Sequence, residues 1–346
     1  MICKSFLIAA ITTSICALFC ACSIESPEEQ AKKMSGNPIF DGWYADPEVA
    51  LFDGVYWVFP TSSKEFKDQI SFDAFSSEDL VVWKKHPNII DNSKVKWLRK
   101  ALWAPAIVEK DGKYYLFFSG NNPLSPIYKG WKPEYAKEDQ YGGIGVAVSN
   151  SPEGPYEDLI GKPLISDFRN NAQPIDQYVF KYEGSYYMIY GGWDRCCLVK
   201  LADDFKSVVP FPDGSTFKNI TPENYKEGSV MFERKGKWYF MWSEGNWTDS
   251  SYKIAYAIAD TPFGPFKRIS ELIVPDDSIA TGAGHHSVLN IPGTDDWYIF
   301  YHRSPVPNKS PNHRVTCVEK MQFNPDGTIA PIKMTREGVP ARRIKQ

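Results

Sequence analysis

The feature that most limits how this chain can fold is an internal repeat. Five segments couple a tight-turn signal to an aromatic strand: Asp53-Gly-Val-Tyr-Trp-Val-Phe, Asp111-Gly-Lys-Tyr-Tyr-Leu-Phe, Glu183-Gly-Ser-Tyr-Tyr-Met-Ile, Lys235-Gly-Lys-Trp-Tyr-Phe-Met and Asp295-Asp-Trp-Tyr-Ile-Phe. They recur at intervals of roughly 50 to 70 residues, the length of a four-stranded sheet with its connections. Each Asp-Gly or equivalent predicts a tight hairpin. A second element recurs downstream, in Ile70-Ser-Phe-Asp-Ala-Phe-Ser-Ser, Ile144-Gly-Val-Ala-Val-Ser-Asn-Ser and Ile254-Ala-Tyr-Ala-Ile-Ala-Asp-Thr, with a weaker copy from Cys197. It reads as a third strand running into an outer turn. No long stretch has helical periodicity. The pattern predicts an all-β, five-bladed β-propeller from Asn37 to about Ile332, whose last strand, Arg314 to Phe323, closes the ring against the N-terminal segment.

In a propeller the first strand of each blade lines the central channel, so residues at one offset before each hairpin converge on the axis. Asp46, Ala104 and Asp176 lie eight residues before Gly54, Gly112 and Gly184, Glu227 lies nine before Gly236, and His286 lies nine before Asp295. A lone Asp is usually a surface acid or a cap. Three acids eight or nine residues before successive hairpins instead predict a shared concave site, in which like charges repel and proton affinities split. One protonated carboxylic acid facing one carboxylate is the pair that glycoside hydrolysis requires. The repeat alone does not say which acid is which.

These residues resemble glycoside hydrolase family 43 over essentially the whole mature chain. Asn37-Pro-Ile and Tyr44-Ala-Asp46-Pro-Glu look like its first-blade motif, Leu102-Trp-Ala-Pro-Ala-Ile its second, Pro174-Ile-Asp176 its third, and Lys226-Glu227-Gly-Ser its fourth, with Ser229 where Pro is common. Gly282-Ala-Gly-His285-His-Ser resembles the fifth-blade motif, whose first His lies on the axis. The resemblance therefore favours His285 where offset counting favoured His286. It implies that Asp46 is the general base, Glu227 the general acid, and Asp176 the residue that orients the acid and raises its pKa. The implied reaction is an inverting single displacement, with carboxyls roughly 6.5 to 9.5 Å apart to admit water. No redox cofactor is implied; a calcium or sodium ion near His285 is admitted as an option.

Trp103, which precedes axial Ala104, is the first choice for stacking on a sugar, and Trp43 is second; Trp193 and Trp247 also fall near strand ends, where core packing competes with sugar contact. The expected partner is an oligosaccharide or polysaccharide of plant type. Within the family's range the reading prefers an exo-acting α-L-arabinofuranosidase or β-xylosidase. Alternatives are an endo-acting arabinanase or xylanase, a galactan or galactofuranoside hydrolase, and, from another class, a non-catalytic carbohydrate-binding propeller. A fructan hydrolase is disfavoured because its first-blade Asn-Asp-Pro-Asn string is absent. The insertion Asn121 to Gly142 is expected on the rim, where it would wall the channel into a dead-end pocket.

The rest of the sequence concerns location. Met1-Ile-Cys-Lys4 and the apolar run Phe6 to Phe19 form a secretory signal too short for a membrane span. The signal ends at Phe19-Cys-Ala-Cys22, resembling a bacterial lipoprotein leader with Cys22 as the lipid-bearing N-terminus. Residues 1–22 are thus the leader, 23–36 an acidic tether and 37–346 the propeller. The expectation is an outer-membrane lipoprotein facing the periplasm or the cell surface, touching membrane only through that anchor, with plain secretion as the alternative. A formal net charge of -3, with both signs scattered, gives no basic stripe for nucleic acid. Cys196, Cys197 and Cys317, the cysteines outside the leader, read as buried free thiols.

Overall fold

The structure, a computed structural model, describes residues 34–123 and 142–344. The leader, most of the tether and most of the insertion lie outside the described residues. Blade one is β1 (Tyr44–Phe52), β2 (Val55–Ser62), β3 (Ser71–Ser77) and β4 (Lys84–Asp91), hydrogen-bonded in that order. Blade two repeats the order with β5 (Leu98–Lys110), β6 (Lys113–Pro123), β7 (Gly143–Ser149) and β8 (Glu157–Asp158). Blade three has β9 (Tyr178–Tyr182), β10 (Ser185–Tyr190), β11 (Cys197–Leu201) and β12 (Val208–Val209), and β13 (Lys218–Asn219) also pairs with β11. Blade four is β14 (Glu227–Arg234), β15 (Lys237–Glu244), β16 (Lys253–Ala259) and β17 (Arg268–Glu271). A short β18 (Ile273–Val274) leads to blade five, β19 (Ala280–Asn290), β20 (Trp297–Pro305) and β21 (Val315–Met321), and β22 (Ile332–Lys333) returns to pair in parallel with β18. The five-bladed propeller expected from the repeat is the observed fold.

Four of the five repeat turns are two-residue hairpins, with Phe52 opposite Val55, Lys110 opposite Lys113, Tyr182 opposite Ser185 and Arg234 opposite Lys237. Both central residues have positive φ in each, as at Asp53 (49°) and Gly54 (78°), which is the turn whose twist matches paired strands. The fifth differs. Asn290 pairs with Trp297 across a longer loop, 291–296, and Asp295 is released to take Arg234 of blade four through two hydrogen bonds of 2.8 and 2.6 Å.

Apolar side chains alternate along the strands, so each sheet feeds two inter-blade cores. Phe59, Phe72, Trp97 and Phe118 fill one such core between blades one and two. Cys196 packs into the core shared by blades three and four, and its neighbour Cys197 into the core shared by blades two and three. Successive strand residues face opposite ways, so the two thiols are separate free groups; Cys317 is also buried and free.

Blade five has three strands, and the N-terminal segment occupies the place of a fourth beside β21. The Asn37 side chain acts there as a strand residue: its Oδ1 accepts from Val318 N–H at 2.8 Å and its Nδ2 donates to Val318 O at 3.0 Å. Ile39 N–H adds a bond to Thr316 O at 3.0 Å, and Ser35 and Gly36 pair with Val339 and Glu337. The ring is closed by these contacts.

Candidate active site

Every innermost strand enters the axis through a residue with left-handed backbone: Asp46 (φ 50°), Ala104 (44°), Asp176 (54°), Gly228 (66°) and His285 (32°). Ladder register shifts at four of them, between Ala45 and Glu48, Trp103 and Ala106, Glu227 and Val230, and Gly284 and His286. Such a φ costs an L-residue roughly 1–2 kcal/mol and persists where neighbours enforce it. Here the backbone N–H supplies the enforcement. Ala104 donates to Thr61 Oγ1 (2.7 Å), Asp176 to Ser119 Oγ (2.9 Å), His285 to Ser243 Oγ (2.9 Å) and Asp46 to His302 Nδ1 (3.2 Å). Each acceptor sits on the second strand of the preceding blade.

This ring of bulges corrects the axial alignment. The residue eight before the hairpin glycine in blade four is Gly228, and Glu227 reaches the site from the position before it. In blade five the axial residue is His285. His286 lies opposite Tyr301 on β20, buried on the side of the core shared with blade four.

Asp46, Asp176, Glu227 and His285 converge on one cavity of about 480 Å³. His285 Nδ1 stands 3.3 Å from Asp46 Oδ1 and 3.5 Å from Asp176 Oδ2. Arg314 NH1 is 3.4 Å from Asp46 Oδ1, and His302 Nδ1 is 3.2 Å from the same oxygen. Tyr252 donates its hydroxyl to Glu227 Oε1 at 3.0 Å.

Electrostatics divide the acids. Burial opposes ionisation of Asp46, but Arg314, His285 and His302 outweigh it and hold that carboxyl far below the usual range. Burial, then repulsion by Glu227 and Asp46, pushes Asp176 well above that range. Burial raises Glu227 as well, against the Tyr252 hydrogen bond and with help from Asp46. The site therefore holds one firmly ionised carboxylate facing two carboxyls that retain protons more readily. Burial also lowers the pKa of His285, against the opposing pull of Asp46, and pushes His302 down to about 4, with Arg314 adding to the effect.

Trp103 lines the cavity, with its ring nitrogen donating to Gln69 and its ring 5.9 Å from that of Phe66. Trp193 and Trp247 also line it, and the Arg314 guanidinium lies 4.9 Å from the Trp247 ring centre. Trp43 is elsewhere: its ring lies 4.6 Å from that of His313, tilted by 31°, and it is not among the lining residues. The expectation that Trp43 shares the pocket is therefore not met: its ring packs beside His313 instead of entering the lining.

Arg314, His302 and Tyr252 were not anticipated. None occupies the repeated offset, since Arg314 lies just before β21, His302 within β20 and Tyr252 just before β16. The hydroxyl acceptors did carry a signal: Thr61, Ser119 and Ser243 each lie seven residues after a hairpin glycine. As a cation ligand His285 fits poorly. Its Nδ1 is engaged by two carboxyls, and among the described residues no group of three or more His, Cys, Asp or Glu side chains is arranged to hold a metal ion. A hard cation takes about six to eight oxygen ligands.

The family model for glycosyl hydrolases family 43 matches residues 35–329. A β-D-galactofuranosidase from Aspergillus niger is 39% identical over 324 residues, 90% of this chain and 88% of the relative. A β-xylosidase from Xylanibacter ruminicola is 24% identical, covering 87% of this chain and 100% of the relative. Among solved structures, a family 43 β-xylosidase/α-arabinofuranosidase from a compost metagenome, in complex with xylotriose and calcium-free, superimposes with a TM-score of 0.69 at 25% identity, covering 87% of this chain and 97% of the other.

Proposed function

The chain belongs to glycosyl hydrolase family 43 and is an inverting glycoside hydrolase, and from that premise we propose that it removes a terminal furanosyl unit, β-D-galactofuranose before α-L-arabinofuranose. The observation that carries this reading is the 39% identity to a β-D-galactofuranosidase across most of both chains, against 24% for the xylosidase. The two furanosides share the configuration of every ring carbon, and galactofuranose differs by a longer exocyclic chain. The family resemblance alone had put arabinofuranoside and xyloside first, and this identity moves galactofuranoside forward.

In the proposed mechanism Asp46 is the base. It takes a proton from water as the water oxygen bonds to the anomeric carbon, while Glu227 gives its proton to the departing glycosidic oxygen as the old carbon–oxygen bond breaks. The opposed proton affinities of these two carboxyls support the assignment, and they also argue against a binding-only propeller, which has no use for them. Asp176, when ionised, sets a negative charge against Glu227, and that mutual repulsion raises the acid's affinity for its proton. Trp103 is the proposed stacking platform. No step uses a cation, and activity is expected to survive treatment with a calcium chelator.

Hydrolysis of 4-nitrophenyl β-D-galactofuranoside, α-L-arabinofuranoside and β-D-xyloside tests the substrate. The galactofuranoside is expected to have the highest kcat/KM, and a preference for the xyloside overturns the reading. Release of monosaccharide alone from a polymer tests exo action; internal cleavage favours the endo alternative. For location we propose a lipid anchor at Cys22, with the domain held at the periplasmic or outer face of the outer membrane. Incorporation of labelled palmitate that is lost in Cys22→Ala checks it, and release of unlabelled protein into the medium favours plain secretion.

A further inference from the structure

We propose that Tyr252 is a positioning residue for the acid, whose hydroxyl holds Oε1 of Glu227 and thereby confines the transferable proton to Oε2. This rests on the reading of Glu227 as general acid. The Tyr252 hydroxyl donates to Oε1 at 3.0 Å. A carboxylic acid whose one oxygen accepts a fixed hydrogen bond carries its proton on the other.

The ring that presents this hydroxyl is clamped from two sides. One face stacks on His302, with centroids 5.6 Å apart and planes 15° from parallel. Against it also runs the backbone of β19 at Gly284, where an added Cβ would fall 2.2 Å from the ring. Gly284 and His302 are themselves cross-strand partners. The fifth-blade glycine next to His285 is thus explained by the space the tyrosine needs. His302 in turn holds the Asp46 backbone N–H, so the group that seats the acid's partner also seats the base.

The contact gains strength as the reaction proceeds. When Glu227 gives up its proton, the Tyr252 hydrogen bond becomes charge-assisted and stabilises the carboxylate that forms. The charged and titratable groups that bear on Glu227 are Asp46, Asp176, Lys226 and Arg314, and Tyr252 is the donor among its neighbours. Tyr252 itself faces Glu227, Asp46, Asp176, His302 and the Ser243 hydroxyl.

The test compares wild type, Tyr252→Phe, Glu227→Gln and the double variant on methyl and 2,4-dinitrophenyl β-D-galactofuranosides, or the arabinofuranosides if those are turned over faster. The methyl glycoside needs its leaving oxygen protonated and the dinitrophenyl glycoside does not. Tyr252→Phe is expected to lose roughly tenfold to hundredfold in kcat on the methyl glycoside, the worth of one hydrogen bond to a charged group, and much less on the other. Its basic limb moves to higher pH, because the lost donor favoured the carboxylate, and it adds nothing to Glu227→Gln. Incorporating 3-fluorotyrosine at position 252, a stronger donor on the same ring, moves the limb to lower pH and keeps the test open if the Phe variant misfolds. Equal losses on both glycosides, an unmoved limb with either substitution, or additive losses in the double variant overturn the proposal. If Glu227→Gln itself loses equally on both glycosides, the assignment of the acid fails, which is a separate result.

Discussion

The guanidinium of Arg314 lies 3.4 Å from Oδ1 of Asp46, in a site where both side chains are nearly buried. That pairing is the first of the three interactions that keep Asp46 ionised against burial.

Removing it therefore has a signed consequence. Arg314→Met removes the positive charge that does most to hold Asp46 ionised, so the Asp46 pKa rises toward its ordinary value. The acidic limb of kcat/KM, which reports the base in the free enzyme, moves to higher pH. A pH profile of the variant checks this; an acidic limb that stays in place shows that Arg314 does not govern the base. Asp46→Asn is the companion. With the proposed base unable to accept the water proton, kcat is expected to fall by at least about a hundredfold while thermal unfolding shows a folded domain.

Gly228 gives a prediction about geometry rather than charge. Its φ is +66°, and a Cβ there would lie 2.9 Å from Ser243 Oγ and 3.2 Å from the His285 ring. Ser243 Oγ is also the acceptor that fixes His285 N–H. Gly228→Ala should thus cost roughly 1–2 kcal/mol in stability and lower kcat disproportionately, since Glu227 and His285 are both displaced. Urea denaturation beside steady-state kinetics separates the two effects. Full activity in the variant refutes the claim that this bulge seats the site.

The same bulge shows what the sequence carried and what it withheld. Four hairpins were legible because a two-residue turn needs positive φ at both positions, and Asp-Gly, Glu-Gly and Lys-Gly provide it. Asp46 and Asp176 were legible because the repeat fixes their distance from those turns. Glu227 and His285 were read through the repeat and the family resemblance together, since a one-residue bulge shifts offset counting without changing composition. Arg314 and Tyr252 were out of reach, because each meets the site by tertiary packing between blades; His302 stands seven residues after Asp295, at the position of Thr61, Ser119 and Ser243, but as an imidazole among hydroxyls it did not stand out. The fifth hairpin was misjudged because Asp295-Asp296 has no glycine to take a positive φ; Gly293 takes one instead, and the longer loop closes on itself through Ile291 N–H to Asp296 O and the Asn290 side chain to Thr294 O.

The two tryptophans favoured for sugar contact are expected to part company. Trp103 lines the cavity, whereas Trp43 packs on His313 outside its lining. Trp103→Ala should raise KM about tenfold or more, in line with the worth of an aromatic contact, and Trp43→Ala should leave KM within about twofold. Equal effects on KM would mean that the pocket extends to Trp43 when sugar is bound.

Ring closure supplies a prediction on stability alone. Asn37 reproduces two ladder bonds to Val318 and is not among the residues that line the cavity. Asn37→Ala leaves a buried N–H and a buried C=O of Val318 without these partners, at roughly 1–3 kcal/mol each. The midpoint of thermal unfolding should fall, with kcat/KM at low temperature unchanged. An unchanged midpoint would place the closing interaction elsewhere, in the Ile39 or Ser35 bonds.

Asp176 carries the last prediction, in which function and stability oppose each other. Its folded-state pKa is raised, by burial first and then by Glu227 and Asp46. The unfolded chain releases that proton near about pH 4, so the folded domain loses relative stability as pH rises from there through the folded-state pKa. Asn at this position has no proton to hold and escapes that loss. Asp176→Asn should therefore unfold at a higher temperature than wild type near neutral pH, and the difference should disappear below about pH 4. In the same variant Glu227 loses a neighbouring negative charge, its pKa falls, and the basic limb of the rate profile moves to lower pH with a lower kcat. Melting curves across pH, read beside the rate profile, check both halves. A variant less stable at neutral pH would mean that the Asp176 carboxylate is a net stabiliser of the ring, and the assignment of a raised proton affinity would fall with it.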